Sequence, residues 1–241
     1  MKKYILAFAV LFFSFNADSQ ILITLLLGDK LNSPNVEFGL EGGVNWTSIS
    51  GLETKDLGRK WNLGFYFDLK IKNQWSVYTG VLVKSNMGID ALSDNDVEKL
   101  KAKTYDDYVG ITPGEYSHKM NTFLVPALLR YTFKNYIYTE FGPQFGLAYK
   151  SWIEYASDVD GKDAIIKEYN KDKINRIDAG LMLGAGYKLF KGKGWTIGAK
   201  YYYGFIDVYK DIPNTKNSSI FVKVNIPIGV KDLKEGTSPK E

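Results

Sequence analysis

The sequence has no cysteine in its 241 residues and only one histidine, His118. Lack of cysteine excludes structural disulfides, iron–sulfur clusters, thiolate zinc sites, a cysteine nucleophile and a lipid-modified cysteine at an export junction. A basic block is missing as well: 31 Lys and Arg are spread along the chain against 27 Asp and Glu, so the formal charge of +4 leaves no footprint for nucleic acid. Long apolar runs are also scarce. Beyond the N-terminus the nearest is ILITLLL at 21 to 27, well short of the roughly 20 residues a membrane helix needs. Membrane insertion by the mature chain therefore has to use strands.

What is abundant is aromatic residues (5 Trp, 17 Tyr, 14 Phe) and glycine (23), in a chain that is 45% apolar and 24% charged. That composition is globular, and one domain is expected. The first residues read as a secretory signal peptide over 1–19: Lys2 and Lys3, an apolar stretch from Tyr4 to Phe15, then the small-x-small site Ala17-Asp18-Ser19. Residues 20–35 form a periplasmic N-terminal segment lacking alternation, and Pro34 breaks it from the first alternating segment. It is expected either to lie on the inner leaflet or a partner, or to cover the periplasmic mouth.

From residue 36 to 230 the dominant period is two. In VEFGLEGGVNW, Val36, Phe38, Leu40, Val44 and Trp46 share one face and Glu37, Glu41 and Asn45 the other; in WNLGFYFDLKI, Trp61 to Ile71 divide in the same way. Six further segments show the same split: 75–84, 122–133, 136–149, 177–189, 195–205 and 219–229. Alternation of this kind marks a strand with one apolar and one polar face. Most of these segments match or exceed the about 9–11 residues of a tilted membrane strand. Their connections alternate between long and short: 47–60, 85–121, 150–176 and 206–218 against 72–74, 134–135 and 190–194. Together these predict an all-β fold, an eight-stranded antiparallel up-and-down transmembrane β-barrel with short periplasmic turns and long external loops. A polar tail, 231–241, comes last.

The polar face holds Glu37, Glu41, Asp68, Glu140 and Asp178, the bases Lys70, Lys84, Arg130, Lys188, Lys200 and Lys223, and many glycines. Small residues suit the crowded inside of a narrow barrel, so this face is assigned to the lumen, where acids and bases pair as structural packing. Phe65, Val81 and Val222 are assigned to lipid. Aromatics at strand ends, among them Trp46, Trp61, Trp75, Tyr131, Tyr149, Tyr187 and Trp195, form the expected girdles. Pro126 and Pro143 fall inside strands, where a bulge or kink is expected.

The stretches FGLEGGVNWTSI, LVPALLRYTF (124 to 133), YTEFGPQFGLAYK (138 to 150), DAGLMLGAGYKL (178 to 189) and AKYYYGFIDV (199 to 208) carry a resemblance over roughly the whole mature chain. The chain resembles the PorT-like outer-membrane β-barrel family of the Bacteroidota. The resemblance implies a small eight-stranded barrel, with some relatives tied to secretion or gliding machinery, and it brings no catalytic residues. One departure is that the last strand leads into Lys231 to Glu241 instead of ending on an aromatic.

Three motifs are weighed for chemistry. Ser117-His118 offers a nucleophile and a base, but neighbours on an extended chain point to opposite sides, so His118 reads as a solvated loop residue. Asp158-Val159-Asp160-Gly161-Lys162-Asp163 is similar to a calcium loop, yet Tyr169 stands where a bidentate Glu belongs, and a flexible polar loop is expected. SDNDVEKLKAK at 93 to 103 reads as a capped, solvated helical turn. No catalytic, cofactor-binding or metal-binding residue is assigned, and no cofactor.

The sequence therefore points to a non-enzymatic outer-membrane barrel, a loop-presenting or accessory subunit of an envelope complex. Its expected partners are outer-membrane lipid and, through the external loops, an envelope protein or a glycan. An outer-membrane lipid-modifying enzyme and a soluble secreted ligand-binding barrel are the alternatives. Deleting 91–117 or 156–172 is expected to spare the barrel while abolishing external association.

Overall fold

The computed structural model describes residues 31–54, 57–105, 114–159, 162–192 and 194–228. The signal-peptide assignment, most of the N-terminal segment and the polar tail lie outside them. Nine strands form one antiparallel sheet: β1 (Val36–Ile49), β2 (Gly58–Lys72), β3 (Trp75–Leu92), β4 (Glu115–Thr132), β5 (Ile137–Val159), β6 (Lys162–Tyr169), β7 (Ile177–Lys188), β8 (Thr196–Asp207) and β9 (Lys216–Pro227). Eight of them close a ring in the order β1-β2-β3-β4-β5-β7-β8-β9, sealed by β9 against β1 from Gly39↔Pro227 to Ile49↔Asn217. At that seam the backbones approach closely: a Cβ on Gly43 would stand 2.0 Å from the Val222 carbonyl oxygen. The ninth strand, β6, pairs only with the outer end of β5, while the inner end of β5 pairs with β7. The predicted eight-stranded ring is thus present, with one extra hairpin arm.

The turns reflect local chemistry. Lys72↔Trp75 closes a two-residue turn in which Asn73 takes φ 52°, a left-handed conformation that asparagine tolerates. This turn and those at 133–136 and 189–195 share one end, and the long connections share the other. Phe123 and Tyr149 stack at 4.7 Å on the outer wall, and Tyr131 packs edge-on with Trp75 at 4.8 Å at a lower level, eight positions from Phe123 along β4 and opposite Thr139, ten positions from Tyr149 along β5. Ten tilted residues cover the hydrocarbon layer, so the membrane-spanning segments run between these two aromatic levels. Phe141, Phe145, Leu183 and Val222 are exposed on the outer wall there, while Phe65 and Val81 also point outward.

Four expectations are corrected. The stretches 85–121 and 150–176 are largely continued strand: β3 and β4 stay paired to Leu92↔Tyr116, and β5 runs on to Val159 against β6. Neither proline shifts the register, since Pro126↔Gln144 and Pro143↔Leu181 lie in continuous ladders. Each proline gives up its ladder donor without slipping a neighbour. The irregularities lie elsewhere, among them one between Leu63 and Gly64 opposite β3 and one at Asn121/Thr122 opposite β5. The first places an extra residue, Val83, in β3, so Lys84 faces outward and not into the lumen as its parity predicts. Finally, the turn at 93 to 103 contains helix α1 (Asp94–Lys99), which is not solvated all round: Asp96, Val97 and the capping Leu100 are buried.

Candidate functional site: a charged lumen beneath a capped chamber

Inside the membrane-spanning segments, every strand of the ring sends a polar side chain inward. Arg130 on β4 meets Asp68 on β2 at 2.7 Å and Glu140 on β5 at 2.6 Å. Lys188 on β7 joins Asp68 at 3.1 Å, and Lys223 on β9 joins Glu140 at 2.8 Å. Lys200 on β8 meets Glu41 on β1 at 2.6 Å. Glu41 also accepts from the Tyr78 hydroxyl on β3, which in turn accepts from Asn225 at 2.6 Å. The guanidinium of Arg130 lies 4.0 Å from the Tyr78 ring centroid and 4.4 Å from that of Tyr138.

The lumen assignments of Glu41, Asp68, Glu140, Arg130, Lys188, Lys200 and Lys223 therefore hold. Arg130, Lys200 and Lys223, which reach into the bore at this level, are among the largest fully buried side chains. Such a network compensates charges held away from bulk water. In this network Glu41, Asp68 and Glu140 are each engaged by cations, and Asp68 with Lys188 also lines a cavity of about 730 Å³ at the periplasmic end.

Beyond the outer aromatic level the same ring encloses a different interior. Ile49, Met87, Ile89, Leu92, Val97, Leu100, Tyr116, Met120, Ile153, Tyr155, Ile174 and Tyr209 lie here, the outer part of a buried apolar cluster that continues down to membrane level through Leu82, Leu124, Leu128, Met182 and Phe221. Helix α1 caps it. Its N-cap Ser93 accepts from the Asp96 amide at 3.1 Å, and Asp96 accepts from the amides of Glu53 at 2.8 Å and Thr54 at 3.0 Å. Burial favours the neutral carboxyl, but those donors from Glu53 and Thr54 prevail and hold Asp96 below the usual carboxylate range. The cap is thereby tied to the β1–β2 connection.

One polar chain crosses this apolar chamber. His118 is wholly buried, not solvated as its place in a predicted loop implied. Ser117, its neighbour, points away, but Ser151 on β5 lies 2.9 Å from His118 Nε2. A serine–histidine pair therefore exists, between residues 33 positions apart that strand pairing brings together. Its polarity is set by the neighbours on either side. Ser151 donates its proton to Asn170 Oδ1 at 2.6 Å, so Nε2 must be the donor to Ser151 and Nδ1 the acceptor of the Tyr209 hydroxyl at 2.7 Å. Burial, with Lys60 nearby, pushes the His118 pKa down to about 3. In this tautomer Nε2 carries the proton and donates it to Ser151.

The candidate calcium loop falls at the β5–β6 tip, where Asp158 pairs with Asp163 across the hairpin and 160–161 lie outside the described residues. Among the described residues, no group of three or more His, Asp or Glu stands close enough to hold a metal ion.

A family model for the outer membrane protein beta-barrel domain matches residues 30–210. The chain belongs to that family. It is an outer-membrane β-barrel protein and resides in the outer membrane. No curated protein matches it. Among solved structures, the barrel domain is similar to Neisserial surface protein A at 11% identity and TM-score 0.40, covering 79% of this chain and 96% of the other. It is also similar to Ail, the attachment invasion locus protein of Yersinia pestis, at 14% identity and TM-score 0.40, covering 80% and 98%. A third is OprG from Pseudomonas aeruginosa, at 12% identity and TM-score 0.31, covering 80% and 91%.

Proposed function

We propose that this barrel is a non-enzymatic accessory subunit of an envelope complex, of the PorT-like kind, which presents its external body to a protein or glycan partner. The observation that carries the reading is the capped chamber. Loops that only close hairpins need a few residues. Here the chain instead continues its apolar core outside the membrane and covers it with α1. A rigid body of this sort keeps its outer side chains in place for recognition. The β5–β6 arm offers Ile165 and Tyr169, both exposed, beside Trp152, whose ring lies 5.4 Å from Lys167 Nζ. The ion-paired lumen argues against conduction, and the polarity of Tyr209-His118-Ser151-Asn170 argues against hydrolysis.

Large deletions are poor tests of this function, because 91–117 contains Leu92, Val97, Leu100 and Tyr116 of the chamber core. Point changes on the arm suit better. Affinity purification from the native envelope in mild detergent is expected to recover a partner with the wild type and to lose it with Ile165→Asp plus Tyr169→Asp, while heat-modifiable gel mobility stays unchanged. Unchanged recovery with that variant removes the arm as the recognition surface.

A further inference from the structure

Above the pair Asn62↔Ser85 the wall of the ring parts. β2 continues to Gly58 paired only with β1, and β3 continues to Leu92 paired only with β4. Side chains bridge the parting. Lys60 Nζ meets Asp90 Oδ1 at 2.5 Å, and from β1 behind it Asn45 Nδ2 donates to the Asn86 carbonyl at 3.1 Å. What is left is a cleft of about 320 Å³ whose lining includes Arg59, Lys60, Lys119, Trp61, Met120 and Trp152. It opens next to the outer aromatic level: Ser85 pairs with Thr122, the residue before Phe123. Trp61 is 65% exposed at its edge.

We propose that this cleft binds a phosphate-bearing lipid of the outer leaflet, with the headgroup against Arg59, Lys60 and Lys119 and the start of its acyl chains along Trp61. The charge balance carries the chemistry. Lys60 is shared with Asp90, and Lys119 is shared with Glu154, which also accepts from Trp152 Nε1 at 3.0 Å and lies 3.6 Å from Lys167 Nζ. Arg59 makes no ion pair with a described residue. Among the described residues, four cations (Arg59, Lys60, Lys119 and Lys167) against two acids (Asp90 and Glu154) leave a positive excess at the level where lipid headgroups begin. A guanidinium there takes two phosphate oxygens at once. A soluble anion would satisfy the cations alone. A lipid also uses the indole of Trp61, which faces the membrane and suits the boundary between headgroup and chain.

The test uses the full-length protein in mild detergent, mixed with equal amounts of phosphatidic acid and phosphatidylcholine of the same chain length, with bound lipids counted by native mass spectrometry. Phosphatidic acid adducts are expected to dominate. Arg59→Gln and Lys119→Gln are each expected to lower the ratio of the two lipids about five-fold, and Lys72→Gln, at the periplasmic end, to leave it unchanged. Heat-modifiable mobility reports whether each variant is folded, and Arg59→Gln, which unpairs no acid among the described residues, stands alone if Lys119→Gln is not. A wild-type ratio near one overturns the proposal, as does a ratio that Arg59→Gln leaves intact. Loss of the preference in excess inorganic phosphate overturns the lipid in favour of a soluble anion.

Discussion

Within one β-ring the two halves of the interior differ: the ion pairs concentrate at membrane level, and the outer part is mainly apolar. At membrane level β4 shows Val125, Ala127 and Leu129 to the outside and holds Arg130 inside; in its outer part it shows Ser117, Lys119 and Asn121 to the outside and holds Tyr116 and Met120 inside. β5 makes the same exchange, with Phe141 and Phe145 outside and Glu140 inside below, and Ile153 and Tyr155 inside above. The solvent decides. Where lipid surrounds the wall, apolar side chains gain little by turning inward, so ion pairs share the bore with a few buried apolar residues such as Leu128, Met182 and Phe221. Where water surrounds it, burying Ile153 or Met120 removes apolar area from water and stabilises the chamber as in a soluble barrel.

The sharpest way to separate the halves is to break each core by its own mechanism. Arg130→Ala leaves Asp68 and Glu140 short of their shared cation and is expected to cost about 3–5 kcal/mol, read as a lower urea midpoint for the gel-shifted, folded band. Ile153→Ala is expected to cost about 2–5 kcal/mol, but mainly in the chamber: hydrogen exchange should quicken in the outer ends of β4 and β5 while the membrane-level amides stay protected. Equal loosening of both levels by Ile153→Ala would show a single cooperative core. Acid should also favour one half. His118 stays neutral in the fold with a pKa of about 3, against roughly 6.5 when unfolded. The unfolded chain therefore binds the extra proton between those values, and stability that is complete above about pH 6.5 falls as the pH drops, by about 3 kcal/mol at pH 4. Exchange in the chamber should report that slope, and His118→Gln should abolish it. The smallest effect is expected at the cap, where Ser93→Ala costs about 1 kcal/mol and speeds exchange in α1 alone.

The same inversion explains which features are legible in the sequence. Period two with apolar residues outward identifies all eight ring strands and the paired charges of the bore, because those positions keep one phase across the membrane. At Thr122 in β4 the apolar phase slips, from Tyr116 and Met120 on even positions to Phe123, Val125 and Leu129 on odd ones. Tracing a single phase ends the strand there, as in the segment 122–133, and assigns the rest to a loop. In β3 the extra residue Val83 reverses the facing while the apolar parity continues through Met87 and Ile89, so parity puts Lys84 on the wrong side. The Ser151 partner of His118 has no local signal at all. It depends on the register of β4 against β5, which an irregularity at Asn121/Thr122 resets.

The seam between β1 and β9 sets the order in which the barrel can be completed. The β5–β6 arm closes between Val159 and Lys162, almost as locally as a hairpin can, whereas Gly39 must find Pro227 from nearly the other end of the barrel. Contacts so distant along the chain form slowly, after the local ones. Until β9 has been delivered the sheet has two unpaired edges, each a template for pairing with a foreign strand. The last step is thus a race between self-closure and capture, and Gly43 belongs to the closing edge. A side chain there would leave the hairpins free to form while the final ladder stayed open, so the failure would appear as lost yield of inserted protein and not as a less stable barrel.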